Sequence, residues 1–314
     1  MTGITSLRWF ATLAAGTILP FTAQASECST VRFAEVGWSD ITATTALTSV
    51  VLEGLGYSPT IDTVSVPIAY AGLANDDFDA FLGNWMPSMA SISDPYIEEG
   101  RVDRLSANLE GAKYTLAVPQ YVYDAGITSV NDLNEHAERF DRRIHGIEAG
   151  NDGNELIQQM IDDDAFDLGD WQVVDSSEAG MLSVLDSRVP EQTWMVFLGW
   201  EPHPMNTRYD IAYLTDADDY FGPDLGGATV YTNTRGGYAE QCPNVATLLD
   251  NLRFTLEMEN ELMSAIMDEG EAPEAAARAY LRNHQDVLES WLEGVTTLDG
   301  EPGEEAVRDM LREG

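Results

Sequence analysis

Three stretches of the chain share one pattern: an apolar run, then Gly, then Trp within two residues. They are Val31-Arg32-Phe33-Ala34-Glu35-Val36-Gly37-Trp38, Phe78-Asp79-Ala80-Phe81-Leu82-Gly83-Asn84-Trp85 and Trp194-Met195-Val196-Phe197-Leu198-Gly199-Trp200. Each run is the length of a buried strand, and the Gly reads as the punctuation at its end. Three indoles then stand at the carboxyl ends of three strands, the edge where open α/β sheets bind ligands. Three Trp faces in one crevice have the chemistry of a cage for a quaternary ammonium ion. For any single Trp, packing is the other reading; the shared context favours the cage. Trp9, Trp171, Trp194 and Trp291 lack that context.

The first residues read as a secretory leader. Arg8 is its positive charge, 9–21 is mostly apolar, and Ala23-Gln24-Ala25 fits a small-x-small cleavage pattern. Cleavage is expected after Ala25, which places the protein in the periplasm. The apolar stretch is too short for a membrane span of about 20 residues. No Cys follows the cut directly, so a lipid anchor is not expected. The remaining chain is long enough for two domains.

The chain has 54 acidic residues against 16 basic ones, and Lys113 is its single lysine. Such a polyanion repels nucleic acid and anionic membrane surfaces and attracts cations over long range. The acids are dispersed, as on a solvated surface. Cys28 and Cys242 are the two cysteines, and in an oxidising compartment an even pair suggests one disulfide. Two buried thiols are the alternative.

After the leader, strand and helix patterns alternate: strands near 31–36, 61–66, 78–82, 104–109 and 114–118, with helices near 42–55, 68–74 and 91–99. The scheme repeats with strands near 144–147, 171–174 and 194–198, and with helices opening at 129, through 162 and over 177–185. The segments 211–215 and 228–232 look extended, and 245–311 is helical in pattern, with Pro273 at a helix start. The alternation predicts an α/β fold with parallel pairing.

Within the Trp38-Ser39-Asp40 turn, Asp40 either caps a helix or offers its carboxylate to a ligand hydroxyl or cation. Asn151, in Gly150-Asn151-Asp152-Gly153-Asn154, either caps the following helix or meets a ligand. Tyr114 sits in an extended run, where Tyr is usually structural. Enzyme signatures are missing: no nucleophile elbow, phosphate loop, dinucleotide fingerprint or His-Glu-x-x-His. His136, His145, His203 and His284 lack metal spacing, and the acid-rich runs do not match a calcium loop. No catalytic residue, metal or cofactor is expected.

Longer motifs carry a specific resemblance. They are Val36-Gly37-Trp38-Ser39-Asp40-Ile41-Thr42, Phe81-Leu82-Gly83-Asn84-Trp85-Met86-Pro87, Asn108-Leu109-Glu110-Gly111-Ala112-Lys113-Tyr114, Gly146-Ile147-Glu148-Ala149-Gly150-Asn151-Asp152-Gly153-Asn154 and Phe197-Leu198-Gly199-Trp200-Glu201-Pro202-His203. On these the chain resembles the periplasmic choline-binding proteins, within the choline and glycine-betaine class of ABC-importer substrate-binding proteins. The resemblance implies a two-lobed α/β substrate-binding protein of type II with its ligand cleft between the lobes. Lobe 1 would comprise 26–112 and 205–314, and lobe 2 would comprise 113–204. It implies an aromatic box of Trp38, Trp85, Tyr114 and Trp200, with Asp40 and Asn151 as partners of the choline hydroxyl, and a Cys28–Cys242 disulfide. The implied partners are choline and a membrane permease, reached by a monomer. Another methylated cation or osmolyte is the alternative ligand: glycine betaine, trimethylamine N-oxide or a sulfonium such as dimethylsulfoniopropionate.

Overall fold

The computed structural model describes residues 28–313. The leader, its expected cleavage site and Trp9 lie outside the described residues. The main elements are β1 (Thr30–Glu35), α1 (Ser39–Gly54), β2 (Ser58–Thr63), α2 (Val66–Ala74), β3 (Ala80–Met86), α3 (Ala90–Glu98) and β4 (Val102–Pro119). Next come β5 (Arg143–His145), α4 (Asp152–Asp162), β6 (Gln172–Val174), α5 (Glu178–Glu191), β7 (Val196–Glu201), β8 (Ile211–Tyr213) and β9 (Gly227–Arg235). The chain finishes with α6 (Pro243–Asn251), α7 (Leu256–Met267), α8 (Pro273–Asn283) and α9 (Gly303–Glu313).

The nine strands form one mixed sheet in the order β2-β1-β3-β9-β4-β7-β5-β6, with β8 also on β4. Parallel pairing holds at both ends, β1 with β2 and β3, and β5 with β6 and β7. The centre is antiparallel: β9 runs against β3 and β4, and β4 against β7. The parallel expectation therefore holds for the outer strands and fails in the middle, where a returning segment closes the sheet.

β4 joins the two halves. It pairs with β9 from Val102 to Lys113 and with β7 from Lys113 to Ala117. The sequence pattern suggests two strands here, broken near Gly111. The structure has one strand of 18 residues. Gly111 takes a φ of +80° inside it, beside one of three register shifts along the β4–β9 pairing. Such bulges bend a strand without ending it, which lets one strand serve both halves.

The glycines of the repeated pattern do different jobs. Gly37 has φ +79° and makes the turn from β1 into α1. Gly83 and Gly199 do not end their strands; β3 and β7 continue past them through Trp85 and Trp200. They are needed for close packing instead. A Cβ on Gly83 would lie 2.7 Å from the Ile41 side chain, and one on Gly199 2.9 Å from that of Ala117.

α1 is buried along nearly its whole length, from Ser39 to Leu52. It packs on α7, α8 and α9, which explains its lack of a polar face. The helix expected to open at Ser129 is instead two 3-10 pieces, Val130–Asp132 and Asn134–Phe140.

Cys28 and Cys242 are bonded, with 214 residues of separation. Closing so long a loop stabilises by about 5 kcal/mol in the chain-entropy account. Urea unfolding with and without reductant should show a loss of that order. Two titratable thiols in the denatured, non-reduced protein would contradict the bond.

Candidate functional site

A cavity opens where the two halves of the sheet meet. Its lining is Trp38, Asp40, Trp85, Tyr114, Ile147, Asp152 and Trp200. The sheet positions three of these residues, Trp85, Tyr114 and Trp200. Tyr114 on β4 stands opposite Trp200 on β7. Trp85 on β3 pairs with Val230 of β9, which in turn pairs with Leu109 of β4. The Trp85 and Tyr114 rings lie 5.7 Å apart between centroids. Trp38 precedes the first turn of α1, and Asp40 is in that turn.

Each buried indole N–H requires an acceptor, and here two carboxylates supply it. The Trp38 Nε1 donates to Glu148 Oε1 at 2.8 Å. The Trp85 Nε1 donates to Asp40 Oδ2 at 3.2 Å. The indole edges are thus held, and ring surface is left for the cavity. The Trp200 ring packs edge-to-face on His203, 4.9 Å between centroids. Tyr114 meets Phe221 in the same manner at 6.2 Å.

Asn151 stands one layer behind the wall. Its Oδ1 accepts from the Tyr114 hydroxyl at 3.0 Å and from Asn154 N at 3.1 Å. It is therefore the N-cap of α4, the structural alternative open to it from sequence. Its Nδ2 donates to Asp152 Oδ1 at 3.1 Å, and Asp152 takes the place on the cavity wall. Sequence reasoning passed over Asp152 because adjacent polar residues in one turn cannot be told apart by pattern. Gly153 then allows the close approach of α4: a Cβ there would lie 2.3 Å from the Tyr114 hydroxyl.

Two carboxyl groups thus line the cavity, Asp40 from α1 and Asp152 from α4. Asp40 Oδ1 and Asp152 Oδ2 are buried without a hydrogen-bond partner. Burial, reinforced by the Glu178 charge, pushes the Asp40 carboxyl up to about 7. Burial pushes Asp152 up to about 7 as well. Buried carboxylates without a counter-charge ionise reluctantly. Aromatic walls and unpaired acids together suit a small cation with apolar substituents. Among the described residues no cluster of His, Cys, Asp and Glu is suited to a metal ion.

Trp171, Trp194 and Trp291 are elsewhere in the core. Trp171 packs on Phe140 and donates to Asn134. Trp194 also packs on Phe140, and Trp291 on Phe254.

A receptor for a small molecule is the class that this cavity and this sheet define. The chain belongs to the family described as the substrate-binding domain of ABC-type glycine betaine transport systems, which matches residues 29–283. That is a family of transport proteins working in the periplasm or outside the cell, not an enzyme class. Among solved structures the chain is similar to an ABC-transporter choline-binding protein in complex with choline. The two are 49% identical with a TM-score of 0.90, over 91% of this chain and 99% of that one. It is also similar to lactococcal OpuAC in its closed form complexed with glycine betaine, at 26% identity and TM-score 0.76, over 83% and 98% of the two chains. A protein of Chromohalobacter salexigens, ORF1, is 82% identical over 138 residues, which is 44% of this chain and 89% of that protein. The glycine betaine/carnitine-binding protein GbuC of Listeria monocytogenes is 33% identical over 164 residues, 52% of this chain and 53% of GbuC. The fold is accordingly the two-lobed α/β fold of these substrate-binding proteins, and no helix of the described residues is long and apolar enough to cross a membrane.

The raised pKa of Asp40 has a stability consequence. Folded Asp40 keeps its proton up to about pH 7, whereas its ordinary value is 3.8. Between those values the folded state holds a proton that the unfolded chain has lost, so stability falls as pH rises and levels off above pH 7. Asp40→Asn removes this share. Its stability relative to the parent should grow from near zero at pH 4 to on the order of 2–4 kcal/mol above pH 7. Urea unfolding of the unliganded proteins from pH 4 to 9 measures it; a constant difference across that range contradicts the assignment.

Proposed function

We propose that the protein is a choline receptor that serves an ABC importer. In this reading Trp38, Trp85, Tyr114 and Trp200 form an aromatic cage around the trimethylammonium group. The observation that carries it is the pairing of four rings with two buried, unpartnered carboxyl oxygens in one cavity. A quaternary ammonium has no N–H, so hydrogen bonding cannot select it. Ring faces can, at up to about 2 kcal/mol each when desolvated. Asp40 and Asp152 add attraction to the cation, and either can accept from a hydroxyl. Asn151 acts through its bonds to Tyr114 and Asp152. The similarity to the choline complex supports the choice of ligand.

Glycine betaine is the second reading, supported by the betaine complex of lactococcal OpuAC. Its carboxylate would enter a cavity already holding two acids, which disfavours it. The lobes divide at Lys113, where β4 passes from β9 to β7, and again near residue 204; the ligand lies between them and closure follows its binding. The leader is cleaved after Ala25 for export to the periplasm, and the loaded receptor meets its membrane permease there.

Calorimetry should give choline binding one to one, tighter than glycine betaine. Asp40→Asn should narrow that gap. A bound cation favours ionised Asp40 and Asp152, so choline affinity should fall as pH drops below about 7, with proton release on binding near neutrality. Betaine binding more tightly than choline would defeat the choline reading.

Each cage Trp should carry a measurable share. Trp200→Ala should weaken choline binding by at least about 1 kcal/mol, a fivefold or greater rise in Kd. Trp171→Ala should leave Kd within about a factor of two. An unchanged Kd in folded Trp200→Ala would remove that residue from the cage.

A further inference from the structure

Glu178 is a buried acid outside the cavity wall, and its two oxygens go to two different parts of the fold. Oε2 accepts from the backbone N–H of Ser39 at 3.0 Å. Oε1 lies 3.2 Å from His203 Nε2. The His203 tautomer follows from its other nitrogen: Nδ1 accepts from Met205 N at 2.9 Å and so bears no hydrogen. The neutral ring therefore carries its hydrogen on Nε2 and donates it to Glu178.

The need for this contact is visible in α1. Its first turn presents backbone N–H groups that no helical carbonyl can satisfy. Its N-cap residue, Trp38, makes no side-chain cap. Ser39 cannot help, because its hydroxyl points to Met263 Sδ. Glu178, at the start of α5 and 139 residues away in sequence, supplies the acceptor. A carboxylate is also the favourable charge at a helix N-terminus. The same carboxylate holds His203, whose ring packs on Trp200.

We propose that Glu178 is a positioning residue for the cavity. It caps α1 from the far half of the sheet and ties the turn bearing Trp38 and Asp40 to His203, which follows β7 and packs on its Trp200. The aromatic walls from the two halves then come into place together, and a bound ligand is retained by that tie.

The test uses Glu178→Gln in the whole protein with choline chloride as probe; this readout rests on the functional reading above. The amide oxygen can accept from only one of the two donors, Ser39 N–H or His203 N–H, while its NH2 faces the other. One bond of the pair is lost and the survivor is no longer charge-assisted, so the hold on Ser39 weakens in either orientation. Stopped-flow Trp fluorescence should show the dissociation rate rising about tenfold or more, with the association rate within about threefold. A loss of long-range steering by the Glu178 charge would instead lower the association rate and disappear at 0.5 M salt as screening grows (the Debye length there is only about 4 Å). Pairing Glu178→Gln with His203→Asn should give less than the sum of the two single effects. A second readout needs no ligand: hydrogen exchange at the Ser39 amide of the unliganded protein should accelerate about tenfold or more in Glu178→Gln. Unchanged Ser39 exchange together with an unchanged dissociation rate, or strict additivity with His203→Asn, overturns the proposal. If the parent protein does not bind choline, the functional reading falls, and Ser39 exchange alone decides this one. If Glu178→Gln does not fold, His203→Asn, which leaves the Ser39 bond in place, should still raise the dissociation rate by a smaller factor; no rise overturns the proposal.

Discussion

The pairing of Tyr114 with Trp200 is the contact on which the site depends. It lies one residue beyond the point where β4 leaves β9 for β7, so a single register fixes how the two halves of the sheet meet. Side chains alternate faces along a strand, and a slip of one residue would turn Tyr114 away from the cavity. Trp85 is bound to the same frame through β9. Trp38 and Asp40 come from outside the strands, on the turn that Gly37 makes possible, and Asp152 comes from the first turn of α4.

The second constraint is the buried indole N–H. Glu148 and Asp40 satisfy two of them, and each thereby brings a carboxyl group into a poorly solvated place. Burial raises Glu148 as it does Asp40. Below the site, Glu259 on α7 is buried as well, and burial followed by the Asp40 charge pushes it well above the ordinary carboxylate range. The surroundings of the cavity are therefore rich in acids held where water cannot stabilise their charge. A neutral amide acceptor could have oriented the same rings; an acid orients them and leaves the cavity short of positive charge.

Much of this was legible in the sequence. The apolar runs gave β1, β3 and β7 to within a few residues, and the Gly-Trp context separated Trp38, Trp85 and Trp200 from the three other described Trp residues. Local pattern misled where glycine has two uses. Gly83 and Gly199 look like strand ends but provide room, and Gly111 looks like a break but marks a bulge within β4. Local pattern was silent on Glu148, Glu178 and His203. Their bonds to Trp38, Ser39 and one another span up to 139 residues and leave no periodic trace. Asp152 was hidden differently, beside Asn151 in a turn where either residue is a plausible cap, and only the helix direction decides between them.

The strand crossing also carries the chain's one lysine. Lys113 pairs with Gly227 on one side and Glu201 on the other, and its Nζ lies 3.1 Å from the Glu201 carboxylate. Its side chain is 35% exposed. An amine-directed reagent therefore finds a single side-chain target in the whole molecule, at the place where the two halves join. A dye attached there would sit at the junction of the two halves of the sheet without any engineered cysteine, and the disulfide could stay intact. The attachment would neutralise that cation and release Glu201, so the label would both report on the junction and loosen it.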